Sequence, residues 1–172
     1  MGAARLMRVV LDSNILFSAL ISPHGLPHRI YQAWQAKRFE LVTCSIQLEE
    51  IRRASRYPKL RDILKPHRVG HMVNDLRGAV LVDALPQHHE AADPNDSWLL
   101  GLADAARADY LVTGDKRAGL LSRKRVGNTG ILTATVFAGT FYVMSTDRLA
   151  NWNTWIFDPS YGDVIQSCPE HP

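Results

Sequence analysis

Apolar and polar positions change period several times along the chain, and each change marks an element. Arg8–Leu11 (RVVL) is apolar after its first residue, the pattern of a short strand covered on both faces. Ser13 or Asn14 can cap a helix through Leu20, which Pro23 and Gly25 break. Leu26 to about Ala36 forms a second helix with Ile30, Ala33 and Trp34 on one side. Glu40–Cys44 (ELVTC) is the second strand; a helix from Ser45 runs to about Tyr57, with Pro58 as its stop. Val69, Met72, Val73 and Leu76 recur at helical spacing, and Ala79–Val82 (AVLV) is the third strand. A polar loop with Pro86 and Pro94 leads to a helix opened by Asp96 or Ser97, whose inner face is Leu99, Leu102, Ala103 and Ala106. Tyr110–Thr113 (YLVT) is the fourth strand and ends in Gly114–Asp115. A short helix, a strand near Gly130–Leu132 and a helix through Phe137 complete the pattern.

Strands that alternate with helices predict an α/β protein, three layers deep, with a mainly parallel central sheet. Such sheets bind ligands at the carboxyl ends of their strands, where Asp12 and Asp115 both stand. The pattern holds over residues 7–141. Residues 142–172 depart from it and read as an extension of unassigned role, since half of the fourteen aromatics fall between Phe137 and Tyr161. Met7 serves equally well as a start, which would make residues 1–6 an appendage.

The 172 residues, 46% hydrophobic and 22% charged, describe one globular domain able to bury roughly 70% of its unfolded surface. No apolar run approaches the ~20 residues of a membrane span, and the first residues lack the apolar core of a secretory signal. Cys44 and Cys168 have no CxxC spacing and suggest a reducing compartment, so a cytoplasmic protein is expected.

Four acids have a structural reason to lie near one sheet edge: Asp12 ends strand one, Glu50 follows strand two on its helix, Asp96 opens the helix before strand four, and Asp115 ends that strand. Each alone has a plainer reading, as a helix cap for Asp12 and Asp96, a surface residue for Glu50 and a turn aspartate for Asp115. Together they would repel one another unless a cation neutralised them. Hard carboxylate oxygens suit Mg²⁺ or Mn²⁺, which complete their shell with water and phosphate oxygens and activate water against a phosphodiester.

The segments VVLDSNIL, LEEIRRASRYPKL, DPNDSWLLGLA and YLVTGDKRAGLL, in this order, resemble the PIN-domain superfamily, and within it the single-domain toxins of toxin–antitoxin pairs (VapC-type). That resemblance covers about Met7 to Phe137. It implies an α/β/α fold and a Mg²⁺- or Mn²⁺-dependent ribonuclease, with Asp12, Glu50, Asp96 and Asp115 as catalytic and metal-holding acids. Asn14 and Thr113 fall on its small polar positions. Asn95 and Ser97 flank Asp96 where further acids are common, so Asp93 is an alternative ligand. Lys116 and Arg117 follow Asp115 where another acid is common, which weakens a second metal position. The resemblance also implies an antitoxin protein as partner and a homodimer.

Charge adds the substrate. The net charge is only +3, but twelve of the twenty Lys and Arg fall between Arg52 and Arg68 or between Lys116 and Arg125. Such clusters can hold a polyanion backbone or be plain solvated helix faces. Arg52, Arg53, Arg56, Lys59, Lys116 and Arg117 are the candidates for gripping RNA phosphates. His67 and His71 stand at the spacing of a zinc pair without a third ligand and read as surface residues. No P-loop, dinucleotide-binding or nucleophile-elbow motif occurs. An aspartyl-phosphate transferase is disfavoured because Asn14 stands where an acid is needed. Two functions remain, a metal-dependent endoribonuclease and a catalytically silent PIN-like module that docks RNA or protein.

Overall fold

The computed structural model describes residues 5–54, 56–86, 96–114 and 119–145. Among these, the chain forms β1 (Arg8–Leu11), α1 (Ser13–Ile21), α2 (Leu26–Gln35), β2 (Glu40–Thr43), α3 (Ser45–Ala54), α4 (Pro58–Arg61) and α5 (Pro66–Leu76). It continues through β3 (Val80–Leu81), α6 (Ser97–Ala105), β4 (Tyr110–Val112), α7 (Leu120–Arg123), β5 (Arg125–Val126), β6 (Thr129–Leu132) and α8 (Ala134–Ser145).

The strands form one sheet in the order β3-β2-β1-β4-β6-β5. Every neighbouring pair is parallel except β5 and β6. β1 lies inside the sheet, with Val10 opposite Val42 on one side and Leu111 on the other. Because successive residues of a strand point to opposite faces, β1 feeds both halves of the core. Val9 and Leu11 join the apolar cluster built with α1, α2, α3, α5 and α8, whereas Val10 joins that of α6 and α7. This is the three-layer arrangement that the alternating pattern predicts. On the first face Phe39 meets Phe137 and Phe141 edge-on, with centroids 5.8 and 5.7 Å apart.

Several boundaries differ from the sequence expectation, each for a local reason. The predicted strand Ala79–Val82 shortens to Val80–Leu81 because it lies at the sheet edge with β2 as its neighbour; one further bond, Val82 N to Thr43 O at 2.9 Å, extends the pairing. The helix after β2 stops at Ala54 rather than Tyr57. Pro58 does not act as a stop; it begins α4 at the first helical position, where its missing N–H costs nothing. β5 was absent from the apolar pattern, since two residues show no period. A short turn joins it to β6, with Gly127 at φ 53°, a conformation that favours glycine. The last helix passes Phe137 and runs to Ser145, because its sequence ATVFAGTFYVMS carries no stop signal. Among the described residues no helix is long and apolar enough to cross a membrane.

Candidate active site at the carboxyl edge of the sheet

Parallel pairing places the carboxyl ends of β2, β1 and β4 side by side. Asp12, Thr43 and Thr113 therefore stand at one edge, and all three are buried. Asp12 N donates to Val112 O at 2.9 Å, so the β1–β4 ladder runs directly into the carboxylate residue. Its two oxygens do different things. Oδ2 accepts the Thr113 hydroxyl at 2.6 Å, and Oδ1 accepts Asn14 N at 3.2 Å, which caps α1. Asn14 itself is exposed on the first turn of that helix.

Glu50 is reached through Ser13. The Ser13 hydroxyl, buried beside Asp12, donates to Glu50 Oε2 at 2.5 Å. Helical side chains lean toward the N-terminus of their helix, so Glu50, six residues into α3, reaches back toward the edge where α3 begins. Beneath this pair lies Gln47, 1% exposed, whose amide donates to Leu11 O at 2.7 Å and approaches Ser13 Oγ at 3.5 Å. Thr43 Oγ1 donates to Gln47 Oε1 at 2.8 Å. A buried amide without these bonds would be costly; with them it ties the ends of β1 and β2 to α3. Ser13 and Gln47 were not among the residues singled out from the sequence as chemical. The available signal was Gln47 itself, polar at the inward spacing of Leu48, Ile51 and Ala54 and three positions before Glu50.

Asp96 occupies the N-cap position of α6, yet its side chain makes no capping hydrogen bond, and its Oδ2 is buried. The far end of α6 lies at the amino edge of the sheet, where Arg8 Nη1 donates to Ala106 O at 3.3 Å. The helix start therefore lies toward the carboxyl edge, the same side as Asp12. Asp115, Asp93, Lys116 and Arg117 lie outside the described residues. Among the described residues no three His, Cys, Asp or Glu side chains stand together as a metal group. The donor chemistry of Asp12, Thr113 and Glu50 is all oxygen and fits a hard cation rather than zinc.

Arg52, Arg53, Arg56 and Lys59 are exposed along the end of α3 and the start of α4. Glu49 pairs with Arg53 at 2.8 Å and more loosely with Arg52 at 3.8 Å. Arg56 and Lys59 make no ion pair among the described residues. Burial pushes the Cys44 thiol above its usual range, which disfavours the thiolate. Asp83 accepts Ser45 N at 2.8 Å, and that backbone bond holds its carboxyl below the usual range.

A mainly parallel sheet with a buried aspartate at the mouth of an inner strand defines an α/β protein built around an acidic edge. The model of the PIN domain family matches residues 8–117, and the chain belongs to that family, whose members are typically nucleases. The chain is 28% identical over 112 residues to the uncharacterized protein MJ1680 of Methanocaldococcus jannaschii, covering 64% of this chain and 72% of that one. A chain in the crystal structure of VapBC2 from Rickettsia felis, bound to a DNA fragment from their promoter, superposes with a TM-score of 0.49 at 18% identity. That match covers 74% of this chain and 98% of the other.

Proposed function

We propose that this protein is a metal-dependent endoribonuclease and the toxin of a toxin–antitoxin pair. The observation that carries the reading is Asp12, a carboxylate 6% exposed at the end of β1, held by Thr113 from β4. A strand end needs no carboxylate for packing, and burying one is expensive unless something offsets its charge. Asp12, Asp96 and Asp115, with Glu50 completing or orienting the shell, would hold Mg²⁺ or Mn²⁺. That ion would supply an activated water and stabilise charge on a scissile phosphodiester.

The chain's own residues do the rest. Thr113 fixes the rotamer of Asp12, and Ser13 holds Glu50 toward the same edge. Asn14 presents a polar group on the first turn of α1, and Asp93 lies near Asp96 in sequence as an alternative acid. Arg52, Arg53, Arg56, Lys59, Lys116 and Arg117 would grip phosphates without reading bases. The VapC-type motifs support a homodimer acting in the cytoplasm under an antitoxin protein, with RNA as substrate.

One observation favours the second reading, a silent docking module: both Asp12 oxygens already accept hydrogen bonds from the protein, and one of them caps α1. Cleavage of a generic single-stranded RNA separates the two. With Mn²⁺ the wild type should cut, and Asp12→Asn should be slower by on the order of 10²-fold or more. If neither cuts while both bind the RNA, the docking module is the better account.

A further inference from the structure

At the opposite edge of the sheet lies an open cavity of about 840 Å³. Its walls come from the amino ends of the strands: Arg8 opens β1, Asp109 precedes β4, and Thr129 opens β6. Arg5, Arg107 and Asp104 also line it, so three guanidinium groups stand on one cavity wall among carboxylates and apolar backbone and side-chain surface. β1 separates this cavity from Asp12, a span of ~10 Å or more at ~3.3 Å per strand residue. The two edges are therefore independent sites.

The cavity is rich in donors. Each guanidinium carries several N–H groups in a planar fork suited to oxyanions. Arg5 spends one nitrogen on both oxygens of Asp109, at 2.8 and 3.1 Å. Arg8 spends Nε on Glu40 at 2.9 Å and Nη1 on Ala106 O. Asp109 also accepts Arg8 N at 2.8 Å, so its carboxylate is committed to holding these arginines in place. Arg107 is different: its guanidinium has no hydrogen bond or ion pair among the described residues.

The position of Arg107 is also costly. It follows the C-cap Ala106 of α6 with φ 48°. Its N–H bonds Asp104 O at 2.9 Å, and Ala108 N bonds Ala103 O at 3.0 Å. This is the paired-bond helix ending whose left-handed residue is usually glycine. The sequence puts a long cation there, on the wall of a cavity already lined by two others.

We propose that this cavity binds a phosphate-bearing ligand of about nucleotide size, with Arg107 as the cation that engages the phosphate and Arg5 and Arg8 supplying further donors. The volume falls within the roughly 300–1,000 Å³ of small-molecule sites. Three arginines on one wall suit an anion, and the apolar part of the lining leaves room for the base and sugar of a nucleotide. A free nucleotide and the 5′-phosphate end of an RNA offer the same chemistry.

The test is thermal unfolding of the full chain without divalent metal, titrated with 5′-AMP, and separately with a short RNA bearing a 5′-phosphate or a 5′-hydroxyl. Arg107→Gly removes the cation while placing glycine where the backbone favours it, so the unliganded variant should melt no lower than wild type. A saturable rise in Tm with 5′-AMP, weakened at least tenfold in Arg107→Gly, supports the site with a free nucleotide as ligand. A rise confined to the 5′-phosphorylated RNA, and weakened likewise by Arg107→Gly, supports it with an RNA end as ligand. No saturable rise with any probe, or a rise unchanged in Arg107→Gly, overturns the proposal. None of these outcomes depends on whether the opposite edge cleaves RNA.

Discussion

Replacing Thr113 with Val removes one hydroxyl from beside Asp12 and little else, because the two side chains have nearly the same shape. Thr113 is fully buried, and its Oγ1–Oδ2 distance of 2.6 Å falls in the range of a hydroxyl donating to a carboxylate, shorter than is usual between neutral groups. A hydrogen bond to a charged group contributes about 1.5–3 kcal/mol. Valine takes this donor away from an Asp12 oxygen at a buried position. Thr113→Val should therefore destabilise the protein by roughly 1.5–3 kcal/mol, or about 3–12 °C in Tm for a chain of this size. Chemical denaturation gives the number directly. The partner is identified by repeating the substitution in Asp12→Asn, where the bond is between neutral groups and worth only about 0.5–1.5 kcal/mol. A coupling of about 1 kcal/mol is expected between the two positions. If Thr113→Val costs the same in both backgrounds, Thr113 acts through packing alone and does not hold Asp12.

Three further outcomes follow from other parts of the fold. A Cβ on Gly101 would lie 2.9 Å from Pro86 O, so Gly101→Ala should lower Tm: overpacking costs about 1–3 kcal/mol against about 1 kcal/mol gained in helix propensity, and a raised Tm would refute the close approach. Burial first, and then the 2.7 Å bond to Asp75, push the Tyr31 hydroxyl above its usual pKa of 10.0. The unfolded chain then ionises before the folded one, so this contribution is present below about pH 10 and lost above it. Tyr31→Phe should lose less stability than wild type across that interval, and parallel pH profiles would contradict it. If RNA is gripped at α3–α4, Arg56→Ala with Lys59→Ala should flatten the dependence of log affinity on log salt by about 0.7 for each phosphate no longer neutralised. Arg52→Ala and Arg53→Ala should do less, since Glu49 already pairs with both; equal flattening would show that Glu49 does not hold them back, and an unchanged slope in every variant would place the RNA elsewhere.

Much of the fold was legible because its strands obey simple rules. Val9, Val10 and Leu11 are buried on both sheet faces, so a continuous apolar run marked β1 without ambiguity. β5 was not legible, since Arg125–Val126 is defined by pairing with β6 and by the turn at Gly127 rather than by any pattern of its own. At the site, Asp12 was visible as an acid interrupting an apolar run, and Thr113 through the resemblance of YLVTGD. The hydrogen bond joining them spans 101 positions in sequence, and no local pattern encodes such a pairing. Ser13 and Gln47 went unseen for a similar reason. A glutamine on an amphipathic helix reads as surface until the Leu11 carbonyl it satisfies is brought to it by the packing of α3 against the sheet. The pairing of Glu49 with Arg52 and Arg53 was legible in spacing, and it tempers the view of those arginines as free cations.

The central claim is that Asp12 is buried at the strand mouth to hold a cation, beyond its capping of α1. Calorimetric titration of Mn²⁺ into wild type and Asp12→Asn tests it most directly, because asparagine caps a helix as well as aspartate. With its oxygen on Asn14 N, the asparagine's amide nitrogen can donate to the Thr113 hydroxyl oxygen. Both proteins should fold alike by circular dichroism. The account predicts saturable Mn²⁺ binding in wild type that weakens at least tenfold in Asp12→Asn, a loss of about 1.4 kcal/mol or more. Equal affinity in the two proteins, or no saturable binding in wild type, would contradict it and leave Asp12 as the cap of α1.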